Sequence, residues 1–234
     1  MAPESFRLVA STPTLSAEPR ARAHADLLEF RMDLAADPLA ELDDYDGALD
    51  VLVTNRPAWE GGEREEGPGR REELLDALDH PAVTAVDLEL RALEYPDQKT
   101  DLAPVLDAAR AQDSDIVFSV HDFERTPSRR TLVDFVHRGC QYGTLSKLAT
   151  TPETPSDVLR LLKATWDLSH EGRTVASMAM GELGAHSRAV AGLYGSALAY
   201  APVDADQATA PGQFDLETLA DLLAVFGEIG RAHV

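Results

Sequence analysis

A chain of 234 residues with a 44% hydrophobic fraction is ample for one α/β barrel or two small domains. Its 41 acidic against 21 basic residues give a formal net charge of −20 and a pI of about 4.6, which argues against nucleic acid or an anionic membrane surface as partner, since phosphate binding needs Lys and Arg. No apolar run approaches the length that spans a membrane.

Eight apolar, β-rich runs recur along the chain, at 6–11, 27–33, 49–55, 83–90, 116–121, 143–149, 174–180 and 197–203. Helical segments lie between them. Asp37 and Pro38 open one, with the aspartate as N-cap and the proline at the first helical position. Residues 70–78 carry a stripe of Leu74, Leu75 and Leu78, and 100–112, 128–138 and 155–168 show similar spacing. Segments 184–194 and 216–229 complete the set, while 60–71, charged and glycine-rich, reads as a surface loop.

Strand and helix alternating eight times, with near-continuous apolar strands, predicts a parallel sheet covered by helices. Closed on itself this is the (β/α)8 TIM barrel, one catalytic domain over residues 1–234. An open doubly wound sheet is the alternative, but it wants a glycine-rich turn after the first strand, where Ser11-Thr12-Pro13-Thr14 stands. No GxxxxGK[ST] loop, HExxH or paired CxxC is present, leaving nucleotide and zinc sites without support.

Lysine is scarce: only Lys99, Lys147 and Lys163 occur. One of them, Lys147, stands inside the apolar strand at 143–149, where an ammonium is costly to bury. A strand-end lysine reaching to solvent is the competing reading. Other polar residues at the expected strand ends are Glu29, Arg31, Arg56, Glu89, His121 and Ser177, with Thr209 and Gln213 after the last strand. Glu29 and Arg31, two apart, share the inward face, where a structural ion pair is the alternative to a site. His121 falls one strand before Lys147, so a barrel makes them neighbours at its carboxyl rim. An amine that condenses with a ketone, beside an imidazole that moves protons, suits a Schiff-base lyase or aldolase. A class I aldolase and a non-catalytic binding barrel stay open at this point. For the imine reading, Lys147 has to lose its proton near neutral pH, which burial and a neighbouring cation favour.

Several motifs together carry a family resemblance. Ser119-Val120-His121-Asp122-Phe123 with Thr126-Pro127, then Ser146-Lys147-Leu148-Ala149, then Ser177-Met178 through Gly184 to Ser187-Arg188, then Ala210-Pro211-Gly212-Gln213 resemble type I 3-dehydroquinate dehydratase. Glu29-Phe30-Arg31-Met32-Asp33, and Arg56 leading to Glu60-Gly61-Gly62, fit the same family. The resemblance runs from the first strand to the last.

It implies a (β/α)8 barrel, homodimeric, free of metal and cofactor, that dehydrates 3-dehydroquinate to 3-dehydroshikimate. It makes Lys147 the imine lysine, His121 the acid–base group and Glu60 the carboxylate that orients His121. Arg188 would bind the substrate carboxylate, and Glu29, Arg31 and Arg56 the ring hydroxyls. Thr209 and Gln213 would sit on a closing loop, and Ser11 is expected as a minor contact. Thr209 replaces a common serine, and Pro57-Ala58-Trp59 departs from the usual stretch, so that Trp59 is expected to reshape one side of the mouth. The cations Arg31, Arg56, Arg188 and Lys147 are expected to make a locally positive mouth on an acidic protein.

Acid excess, few lysines and a single asparagine, Asn55, suggest a halophilic protein: molar salt shortens the Debye length to about 3 Å and screens the self-repulsion. An acidic mesophilic protein is the alternative. The lone Cys140 forms no internal disulfide and is expected as a small hydrophobe at a helix end. Residues 1–7 lack a basic region followed by an apolar one, so no export signal and a cytoplasmic location are expected.

Overall fold

The computed structural model describes residues 6–96, 99–207 and 212–231. Its strands are β1 (Arg7–Thr12), β2 (Leu27–Arg31), β3 (Val51–Thr54), β4 (Val83–Glu89), β5 (Asp115–Asp122), β6 (Leu145–Thr150), β7 (Val175–Ala179) and β8 (Leu198–Pro202). From β1 to β7 each strand pairs in parallel with the next, and β1 pairs in parallel with β8. Between β7 and β8 contact narrows to a bridge at Val175 and Ser196, where the Ala197 amide donates to the Val175 carbonyl at 2.8 Å. The ring is therefore nearly closed, a (β/α)8 barrel, and each expected strand is present to within two residues at either end.

The helices are α1 (Glu18–Ala21), α2 (Pro38–Asp43), α3 (Pro68–Leu78), α4 (Leu90–Glu94), α5 (Ala103–Ala111), α6 (Arg129–Gly139), α7 (Pro155–His170), α8 (Gly181–Val190) and α9 (Leu216–Arg231). The capping chemistry is where the sequence places it. Asp37 accepts from the Ala40 amide with Pro38 following, Ser128 accepts from the Thr131 amide, and Thr154 with Asp157 forms a capping box. The one-turn helices α1 and α4 lack a periodic stripe, and the apolar spacing does not reveal them.

Alternation along the strands sorts the side chains into two environments. Val9, Leu27, Leu52, Ala85, Val117, Leu145 and Leu198 belong to one cluster that fills the barrel interior. The intervening residues, such as Leu28, Phe30, Val53 and Phe118, pack outward with Leu74, Val105 and Ala109 of the helices. Each fully buried side chain of this size contributes about 1.5–3 kcal/mol, which fixes strand register: a one-residue slip would turn the interior set toward the helices. Cys140, the C-cap of α6, is partly buried against the cluster formed by α6, α7 and β6, its Sγ 3.8 Å from Ser146 Oγ.

One stretch differs from its sequence reading. Residues 60–71 are not simply a surface loop, because Glu60 and Arg70 at its two ends are buried and α3 already begins at Pro68. The polar composition masks this, since both charges find partners inside.

Candidate active site

The carboxyl ends of the strands open into a cavity of about 640 Å³, its open mouth included. Lining it are Ser11, Glu29, Arg31, Arg56, Glu60, His121, Lys147, Arg188 and Gln213, nine of the ten residues to which the family resemblance gives a role. Thr209, the tenth, lies outside the described residues.

Lys147 sits on the inward face of β6, two residues beyond Leu145, which helps to fill the barrel floor. It is 5% exposed, so the competing picture of a lysine reaching solvent does not hold. Its Nζ donates to Asp87 Oδ2 at 2.5 Å and lies 3.8 Å from Glu29 Oε1. The Tyr200 ring centroid is 4.7 Å from the same nitrogen.

His121 comes from β5, next to β6. Ser119 is in register with Lys147 and His121 with Ala149, so the imidazole stands on the same face, one inward position nearer the rim. Glu60 holds it twice: Glu60 Oε1 accepts from the His121 backbone amide at 2.8 Å and lies 3.2 Å from Nδ1. Glu60 ends a 3-10 turn (Ala58–Glu60) closed by Gly61 at φ 81°, a left-handed conformation that favours glycine. A Cβ on Gly61 would also strike the Phe123 ring, which stacks on His121 with 5.8 Å between centroids and 9° between planes. Burial, aided by Arg56 and Lys147 and opposed by Glu60, pushes the His121 imidazole down to about 4. It is thus neutral at working pH. A proton on Nδ1 that faces Glu60 leaves Nε2 as the basic nitrogen.

The remaining charges form a buried network. Arg31 makes a two-pronged pair with Asp33, at 2.8 and 2.7 Å, rather than pairing with Glu29. Glu29 instead accepts from Thr54 Oγ1 at 2.9 Å. Arg56 Nη1 donates to Glu89 at 2.9 Å and Ser119 at 2.6 Å, its Nη2 meets Asp87 at 2.8 Å, and Glu89 in turn pairs with Arg70. Burial works against ionising Asp87, but Arg56 and Lys147 outweigh it and hold the carboxyl well below the usual range. For Glu89 burial prevails, and its carboxyl is raised despite Arg70 and Arg56.

Arg188, on α8, differs from these cations. It is 4% exposed, its buried Nε has no partner among the described residues, and burial alone pulls the guanidinium down to about 10. The locally positive mouth is therefore narrower than expected: Asp33, Asp87, Glu89 and Glu29 offset Arg31, Arg56 and Lys147, and Arg188 keeps its charge uncompensated.

Three polar residues named from sequence are placed elsewhere. Ser177 bonds Thr165 Oγ1 of α7 at 2.6 Å and faces the helix layer. Glu89 stands behind Arg56 and does not line the cavity. Trp59 does not line the cavity; its indole donates to Glu66 and its ring lies 4.2 Å beneath Lys99 Nζ. Asp87 was missed, although it stands two residues before Glu89 in an apolar strand, the same inward-facing signal that marks Glu29 and Arg31. Tyr200 was missed because an aromatic residue in an apolar strand reads as core.

A neutral imidazole tethered to a carboxylate, beside a lysine deep in a barrel mouth, defines an imine-forming lyase. The sequence pattern described as Type I 3-dehydroquinase matches residues 12–229. The 3-dehydroquinate dehydratase of Haloarcula marismortui is 54% identical over 94% of this chain and 96% of that protein. That of Halobacterium salinarum is 49% identical over 94% and 97%. Among solved structures, 3-dehydroquinate dehydratase from Geobacillus kaustophilus superposes with a TM-score of 0.82 at 27% identity, covering 96% of this chain and 92% of that one. The chain belongs to the type I 3-dehydroquinase family.

Proposed function

We propose that Lys147, His121 and Glu60 carry out the family's reaction, the dehydration of 3-dehydroquinate to 3-dehydroshikimate in the shikimate pathway. The chain is a hydro-lyase. The observation that carries the residue assignment is the meeting of a buried amine and a carboxylate-held neutral imidazole in one cavity.

The Lys147 ammonium gives one proton to His121 Nε2, its free amine attacks the C3 ketone, and that proton returns to the carbinolamine hydroxyl, which leaves as water to give an iminium. His121 Nε2 takes a C2 proton while the C2–H electron pair moves into the iminium, forming an enamine. The imidazolium then returns that proton to the C1 hydroxyl on the same face. The C1–O bond breaks as the enamine electrons move back, water departs, and the product is an iminium conjugated with the new C1–C2 double bond. A water molecule hydrolyses it, releasing 3-dehydroshikimate and returning Lys147 as its ammonium. Glu60 fixes the imidazole through Nδ1 during both transfers. Asp87 seats Nζ, and its negative charge favours the iminium over the neutral imine.

Arg188 binds the substrate carboxylate, a task for a planar fork whose Nε has no partner among the described residues. Glu29, Arg31 and Arg56 bind ring hydroxyls; three of the five N–H donors of Arg56 are engaged by protein, which leaves two for a ligand. Ser11 and Gln213 complete the enclosure.

The chain acts as one barrel domain, as a homodimer in the cytoplasm of a halophile, without nucleic acid or membrane partners. The relatives from Haloarcula, Halobacterium and Haloquadratum support the salt adaptation. Among the described residues no helix is long and apolar enough to cross a membrane. Incubation with 3-dehydroquinate tests the activity: ultraviolet absorbance of the conjugated enone should rise, and a flat trace with folded protein in molar salt contradicts it.

A further inference from the structure

Two cavity-lining side chains carry a buried polar atom with no hydrogen-bond partner among the described residues. One is Arg188, whose guanidinium awaits a carboxylate. The other is Tyr200, and nothing in the reaction as described uses its hydroxyl.

Tyr200 lies on β8, in register with Val9 of β1, and belongs to the cluster that fills the barrel interior. It is 5% exposed and its ring packs against Lys147 Nζ. Burial, with Glu29 and Asp87 nearby, pushes the phenol well above its ordinary range, so the group stays protonated and can donate. A buried hydroxyl without a partner is destabilising, whereas phenylalanine would keep the same ring contact with Lys147 free of that cost. The cavity that Tyr200 lines is where a ligand acceptor for this hydroxyl can enter. The species that fits is a hydroxylated ring held at Lys147, which brings oxygen acceptors into a pocket otherwise floored by apolar side chains.

We propose that Tyr200 is a substrate-binding residue whose phenol donates a hydrogen bond to a ring oxygen of the substrate attached at Lys147. This rests on the imine assignment of Lys147. Its specificity consequence is that a substrate lacking that oxygen leaves the phenol buried and unpaired, and is discriminated against.

The test is Tyr200→Phe, assayed with 3-dehydroquinate and with analogues that each lack one ring hydroxyl. The loss of one neutral hydrogen bond lowers kcat/KM by about two- to tenfold. One analogue closes the gap between the two proteins, because it lacks the partner oxygen. Without ligand, the variant melts no lower than the parent, since an unpaired buried hydroxyl has been removed. Borohydride with substrate still modifies Lys147 in the variant, which keeps the two assignments separable. Equal kcat/KM for variant and parent overturns the role of Tyr200, as does a gap of the same size with every analogue. Absence of the adduct from both proteins overturns the imine assignment instead.

Discussion

Lys147 Nζ and Asp87 Oδ2, on strands two apart in the barrel, meet at 2.5 Å with both side chains buried. Asp87 is also the anion for Arg56 Nη2, at 2.8 Å, so one carboxylate serves two buried cations. Removing its charge leaves both cations short of compensation. We expect Asp87→Asn to lower unfolding free energy by about 3–5 kcal/mol in denaturant titration. It should also reduce kcat, as Nζ loses its seat. A stability equal to that of the parent would show that the pair carries no such weight.

His121 gives a pH dependence of defined sign. Its folded value is about 4 against an ordinary 6.5, so as pH falls the unfolded chain takes up this proton first. The contribution to stability is fully present above about pH 6.5 and is lost as pH falls toward 4, at most about 3 kcal/mol in all. His121→Phe should flatten that part of the stability profile. For catalysis the free imidazole is required, so the acid limb of kcat/KM should lie well below pH 6.5, toward 4. A limb at 6.5 would contradict the burial account. His121→Ala should lower kcat by about 10²–10⁴ or more, since the group serves more than one proton transfer.

Arg188 separates binding from folding. Its guanidinium is buried with no anion partner among the described residues, so Arg188→Met should leave the ligand-free protein at least as stable in thermal melts. The same change removes the partner of the substrate carboxylate. We expect kcat/KM to drop by about tenfold to a hundredfold, the worth of a hydrogen bond to a charged group. Loss of stability with unchanged kcat/KM would reverse the assignment.

The net charge of −20 makes salt a structural variable. At molar KCl the Debye length falls to about 3 Å and repulsion among surface carboxylates is screened. The melting temperature should therefore rise markedly from dilute buffer to molar KCl. Equal melting temperatures would favour an ordinary acidic protein.

How much of this was legible in the sequence varies by residue. The barrel was, because each strand is an apolar run and the runs alternate with helical stripes. Lys147 was legible because an ammonium among apolar neighbours in a lysine-poor chain demands a reason. His121 followed from strand order alone. Glu60 was not readable from residue types; its burial depends on the left-handed Gly61 and a backbone amide 61 residues away, and only the family motif pointed to it. The Arg56 network was equally hidden, since its partners Asp87, Glu89 and Ser119 come from two other strands. Tyr200 escaped notice because only coordinates reveal that its hydroxyl has no partner among the described residues.

The most direct measurement is reductive trapping. The protein is treated with borohydride in the presence of 3-dehydroquinate, digested, and its peptides weighed. A mass increase confined to the peptide that carries Lys147, absent from Lys147→Ala, is the expected result. An unmodified Lys147 in protein that is turning over substrate, or an adduct at Lys99 or Lys163 in its place, would contradict the account.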